Sequence, residues 1–104
     1  MNTFKVQFFS PDNRISFDEV VSLSVNGLEG ELVILAYHSP YLIYLLPGII
    51  TVQMSNQTKE KVVIDNGILE VANNNCSIIT NQIQVFDHLT HDEESLKNKR
   101  VVYI

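Results

Sequence analysis

The chain is short of the residues that carry chemistry. Among its 104 residues there is one cysteine, Cys76. One thiol cannot close an internal disulfide, so nothing points to an oxidising compartment. Cys76 alternates with Ile78 in a strand-like pattern and reads as a small core residue. Histidine is nearly as scarce. His38, His88 and His91 are the only three, and none falls on a strand, so the inward-facing ligand set of a metal-binding sandwich is missing. His88 and His91 stand with Asp87 and Asp92 at a polar turn-to-helix junction, where such residues accumulate without a metal. There is no Gly-x-Ser-x-Gly elbow, no phosphate-binding loop and no Gly-x-Gly-x-x-Gly fingerprint. The available carboxylate pairs, Glu29 with Glu31 and Asp65 with Glu70, have no catalytic setting and read as solvated turn residues. The expectation is a protein that is not an enzyme and holds no cofactor and no metal.

Positive charge is also scarce. Seven basic residues against twelve acidic ones give a net charge of −5, which argues against nucleic acid as a partner, because phosphate binding needs a basic patch. Residues 1–94 hold every acid and only Lys5, Arg14, Lys59 and Lys61 as bases, while the last ten residues hold Lys97, Lys99 and Arg100 and no acid. Long apolar runs are absent too. The longest, Leu32–Leu46, is interrupted by His38, Ser39 and Pro40 and is shorter than a spanning helix. The first residues, MNTFKVQFFSPDN, read as a short strand rather than a signal peptide. A chain without direct membrane insertion is expected, peripheral at most through a partner.

What the sequence does contain is a period of two. Phe4, Val6 and Phe8 alternate with Lys5 and Gln7. The same spacing recurs in Val21, Leu23 and Val25, in Ile50, Val52 and Met54, in Val62 and Ile64, and in Ile83 and Val85. Such segments bury one face and wet the other. Turn signals separate them at Ser10–Asn13, Asn26-Gly27, Pro47-Gly48, Ser55–Gln57, Asn66-Gly67 and Asn73–Asn75. Apolar content of 45% with 18% charge suits one folded domain. The pattern predicts an all-β fold, a flattened β-sandwich or barrel of about 8–10 mostly antiparallel strands. Asn66-Gly67 predicts a type I′ hairpin between Val62–Ile64 and Ile68–Val71. Thr90 and Glu93 form a capping box for a short C-terminal helix. The expected division is a β domain over 1–87 and a short helical segment over 88–104.

Two stretches break the alternation. Leu32–Leu35 and Tyr41–Leu46 are apolar on both strand faces. Either the second face is covered within the fold, or it packs against another protein.

Residues 26–48, NGLEGELVILAYHSPYLIYLLPG, resemble the signature of the epsilon subunit of F-type ATP synthases, called delta in mitochondria. Gly30, Glu31, Leu32, Ile34, Leu35, His38, Pro40, Leu42, Pro47 and Gly48 fall into register with it. Asn66–Val71 resembles the family's later hairpin block, Phe4–Pro11 its opening strand and turn, and Ser77–Thr80 the strand after the hairpin. The likeness runs over roughly residues 4–86. Val33 departs from the family's usual glycine, and Ala36-Tyr37 from its usual Pro-Gly.

The resemblance implies a non-catalytic central-stalk subunit within a hetero-oligomeric complex. It would bind the gamma subunit and the c-ring and help couple proton-driven rotation to ATP synthesis. It implies a peripheral position on the cytoplasmic face of a bacterial inner membrane, or the matrix side in an organelle. Carried over by position, Glu31, His38, Ser39 and Pro40 become candidates for the ring contact, and Tyr41, Leu42 and Glu70 for the gamma side. Only 18 residues follow Phe86, too few for two antiparallel helices, so neither the inhibitory hairpin of longer relatives nor their ATP site is expected. The alternative reading of the residues is a freestanding β-sandwich recognition domain. A small metal-dependent β-barrel enzyme is disfavoured by the missing strand histidines.

Overall fold

A computed structural model describes residues 2–86, with the side chain of Phe86 excepted. Nine strands follow one another: β1 Phe4–Phe9, β2 Arg14–Gly27, β3 Gly30–Leu35, β4 Tyr41–Leu45, β5 Gly48–Met54, β6 Lys59–Ile64, β7 Gly67–Ala72, β8 Asn75–Thr80 and β9 Ile83–Phe86. The fold is the expected all-β sandwich. The predicted helix, its capping pair Thr90 and Glu93, and the segment 88–104 lie outside the described residues.

Hydrogen-bonded neighbours run β1-β8-β7-β4-β2-β5-β6-β9, with β3 on β2 and a further β1–β2 pairing that closes the path. Every pairing is antiparallel except β1–β8, which is parallel. One layer holds β1, β8, β7, β4 and the first part of β2. The other holds β3, β5, β6, β9 and the second part of β2. Apolar residues in the inward phase of both layers meet between them, with Val6, Phe8, Leu23, Val52, Val62, Leu69 and Ile78 fully buried. The Phe8 and Phe17 rings meet edge-on at 6.0 Å, the favoured aromatic arrangement.

β2 can serve both layers because it is bulged. Glu19 has a φ of 56°, and the register with β5 shifts between Val20 and Ser22. The Ser55 N–H donates to the Glu19 carbonyl at 3.0 Å, and the Ser55 hydroxyl donates to Glu19 Oε1 at 3.2 Å, so the turn after β5 holds the bulge. An extra residue at a bulge reverses the side-chain phase. Val20, not the expected Val21, is therefore buried ahead of Leu23 and Val25.

The predicted turns at Ser10–Asn13 and Ser55–Gln57 are present. The predicted hairpin at Asn66-Gly67 is not. β6 pairs with β5 and β9, whereas β7 pairs with β4 and β8, so this turn carries the chain between layers. The Thr80 hydroxyl donates to the Asn66 carbonyl at 2.7 Å and fixes the corner. The left-handed hairpin turn lies at Asn73 and Asn74, whose φ values of 51° and 61° suit a type I′ turn joining β7 to β8. Gly67 is needed for space. A Cβ there would lie 2.8 Å from the Ile79 carbonyl oxygen and 3.3 Å from the Thr80 Cβ. Gly67→Ala is expected to destabilise the domain by about 1–3 kcal/mol, the usual cost of overpacking a site that cannot yield. Urea unfolding against the parent chain measures it, and an unchanged midpoint would contradict the close approach.

Candidate docking surface

Alternation along β4 turns Ile43 and Leu45 inward and leaves Leu42 and Tyr44 exposed. Strand pairing then fixes their neighbours. Tyr44 stands opposite Ile68, Ile68 opposite Ile79, and Ile79 opposite Phe9. These four side chains form an apolar row across the outer face of β4, β7, β8 and β1. Tyr44 is 57% exposed and Ile79 59%. The row borders a shallow groove lined also by Pro11. Beside it runs a second row, Leu42, Glu70, Ser77 and Gln7.

The other layer differs. The register sets Val33, Ser24, Thr51 and Lys61 in line, and Leu35, Ser22, Gln53 and Lys59 beside them. Beyond the apolar pair on β3, these two rows are hydroxyl, amide and ammonium, and a half-buried pair, Ile49 and Val63, stands at the far end of the face. The second apolar faces noticed in the sequence are thus uncovered among the described residues.

The candidates carried by the resemblance fall into three places. Leu42 and Glu70 are cross-strand partners on the apolar layer's outer face. Tyr41 shares the inward phase of Ile43 but sits at the open strand end, its ring 5.8 Å from that of His38. His38, Ser39 and Pro40 form the exposed loop between β3 and β4, with His38 Nδ1 2.7 Å from the Ser39 carbonyl oxygen. Glu31 is not in that loop. It lies within β3 opposite Asn26, about 14 Å from Leu35 along the strand at ~3.4 Å per residue.

Phe9, Tyr44, Ile68 and Ile79 were not singled out by motif. Their signal was phase: Ile68 and Ile79 are apolar where the alternation of Leu69, Val71, Cys76 and Ile78 calls for polar residues.

No group of three or more potential metal ligands occurs among the described residues; His88, His91, Asp87 and Asp92 lie outside them. No helix among the described residues is long and apolar enough to cross a membrane.

The family model for the ATP synthase delta/epsilon chain, β-sandwich domain, matches residues 3–85. The chain belongs to this family. An ATP synthase epsilon chain of Wolbachia pipientis subsp. Culex pipiens is 98% identical over 97% of this chain and 89% of its own length. One from Wolbachia pipientis wMel is 79% identical over the same shares, and one from Pelagibacter ubique 31% identical over 94% of this chain and 82% of its own. Two solved structures share the fold. A chain of the Euglena gracilis mitochondrial ATP synthase (OSCP, F1 and c-ring) matches with a TM-score of 0.75 at 24% identity, covering 97% of this chain and 66% of that one. A chain of the Tetrahymena thermophila mitochondrial ATP synthase central stalk and c-ring matches with a TM-score of 0.64 at 18% identity, over 98% and 94%.

Within this family member the one described thiol is a packing residue. Burial pushes Cys76 from its ordinary 9.0 up to about 12. The native state therefore keeps a proton that the unfolded chain releases above pH 9. The stability from the neutral buried thiol is complete below that pH and declines as pH rises toward 12. Urea midpoints at pH 8 and pH 10.5 should drop further for the parent than for Cys76→Val. An equal drop in both would mean that the thiol does not titrate this way.

Proposed function

We propose that the chain is the epsilon subunit of an F-type ATP synthase: a non-catalytic rotor part that joins the gamma subunit to the c-ring. In this role it helps couple proton-driven rotation to ATP synthesis on other subunits. The observation that carries the reading is the row Phe9–Ile79–Ile68–Tyr44, an apolar line across four strands of a member of this family that, among the described residues, only the Arg14 guanidinium over Phe9 approaches. Aromatic and aliphatic residues with few charges are the make-up of an interface core. We assign the gamma subunit to this face, with Leu42 and Glu70 beside the row and Tyr41 at its border.

The ring is assigned to the edge strand β3 and the loop after it. Glu31 stands at one end of this edge and His38, Ser39 and Pro40 at the other. Exposed polar groups of this kind set register and encounter rate more than affinity. Two packed layers make a stiff body, as a part that transmits torque requires. The names of the relatives, and the solved complexes that contain F1, a central stalk and a c-ring, support the assignment. With these partners the chain is peripheral to the membrane, on the cytoplasmic face in a bacterium.

Tagged full-length chain expressed in its native membranes should bring down gamma and the c-ring. Ile79→Asp changes an exposed side chain and should keep the fold while weakening gamma recovery by about 2 kcal/mol or more, as for a central interface residue. Glu31→Lys combined with His38→Ala should lower ring recovery and leave gamma. Recovery of neither partner by the parent chain would overturn the assignment.

A further inference from the structure

The loop of residues 36–40 has little to hold it. Among the described residues, it makes no backbone–backbone hydrogen bond outside the strands. Its shape is also an unfavourable one. Tyr37 has a φ of 61° with its side chain 69% exposed. Bulky side chains seldom occupy this left-handed region, and an exposed ring contributes nothing that would keep it there.

Ala36 packs against the core and the Tyr41 ring lies beside His38, but among the described residues one side chain from outside the loop hydrogen-bonds its backbone. The Tyr37 N–H donates to Asn74 Oδ1 at 2.7 Å. At its other end, Asn74 Nδ2 donates to the Thr3 carbonyl oxygen at 2.8 Å in a half-buried setting. The Asn74 carbonyl accepts the Lys5 N–H at 3.4 Å. The amide orientation is fixed by its partners, because a backbone N–H needs the oxygen and a carbonyl needs the nitrogen. Asn74 thus ties the loop to the strand that enters β1, from a turn anchored by the β7–β8 hairpin. The hairpin itself does not call for asparagine. Asn74 has a φ of 61°, which glycine meets equally well.

We propose that Asn74 is a positioning residue: its amide clamps Tyr37 in the left-handed conformation and so sets how His38, Ser39 and Pro40 are presented to the c-ring. This rests on the assignment of that loop to the ring. The clamp also accounts for a non-glycine residue at position 37, since the cost of the conformation is met by a short hydrogen bond that leaves its side chain free.

The test uses the full chain added back to an ATP synthase complex stripped of this subunit, with hydrogen exchange of the Tyr37 amide read on the same variants. Asn74→Gly keeps the turn and removes the clamp. It should speed exchange at Tyr37, lower the thermal midpoint by roughly 5–10 °C through the lost bonds to Tyr37 and Thr3, and, assayed well below that midpoint, weaken binding about two- to ten-fold, the span of one neutral hydrogen bond. Asn74→Asp keeps the acceptor for the Tyr37 N–H but loses the donor to the Thr3 carbonyl, so it should keep Tyr37 exchange slower and binding tighter than Asn74→Gly does, without reaching the parent. His38→Ala is the control for the loop. If it weakens binding while Asn74→Gly does not, the positioning role is overturned and the ring assignment stands. If neither variant weakens binding, the assignment of the loop to the ring fails and takes the positioning role with it.

Discussion

Strand β2 runs for 14 residues, and the point where it passes from one layer to the other is the bulge at Glu19 and Val20. Val20 has partners on both edges, Phe4 of β1 and Met54 of β5. Ile15 and Phe17 before the bulge and Leu23 and Val25 after it share one inward phase, and Val20 between them is buried out of that phase because the registers with β1 and β5 both shift beside it. The bulge costs a non-glycine residue with positive φ, a strain of order 1–3 kcal/mol, and hydrogen bonds from Ser55 offset part of it. The two-layer core depends on this crossing, and so does the placing of β3 and β4 on the flank where the candidate contacts lie.

From that crossing follows the difference between the two outer faces. Each layer spends its inward phase on the shared core and is free to use the other as function requires. The β4–β7–β8–β1 layer turns Tyr44, Ile68, Ile79 and Phe9 outward. The opposite layer shows Ser22, Ser24, Thr51, Gln53 and two lysines at its centre, with Val33 and Leu35 on one side and Ile49 and Val63 at one end. The first face therefore carries a continuous apolar row suited to a dry contact, and the second a mainly polar centre. The edge strand β3, paired on one side only, separates them and ends in the loop held by Asn74.

The strands were legible because half-buried strands print their phase on the sequence. Phe4, Val6, Phe8, Leu23, Val25, Ile50, Val52, Val62 and Ile64 are core residues, as their spacing indicates. The errors came where geometry is not local. Val21 was read in phase because nothing at Glu19 announces a bulge. Asn66-Gly67 has hairpin chemistry, yet it was placed between strands of different layers, where close approach to Ile79 decides the need for glycine. Asn73-Asn74 has the same chemistry and does make the hairpin. At the docking surface, Leu42 and Glu70 could be named from motif alone, and pairing shows them as neighbours. Glu31 and His38 are close in sequence, but the extended apolar length of β3 from Leu32 to Leu35 holds them apart. The tie from Asn74 to the loop carries no signal in the sequence, since its partner Tyr37 lies 37 residues away.

The single parallel pairing has a consequence for how the molecule comes to exist. Val6 pairs with Cys76, so the first strand synthesised waits for the eighth. Until then β1 has β2 on one side and an open edge on the other, and open edges recruit other chains. Contacts this distant in sequence slow folding, because loop closure must precede their reward. The layer that finally closes over β1 is the one bearing the Tyr44–Phe9 row. Its apolar face is completed only when nearly all of the β domain has left the ribosome, so a half-made subunit cannot offer that surface to a partner.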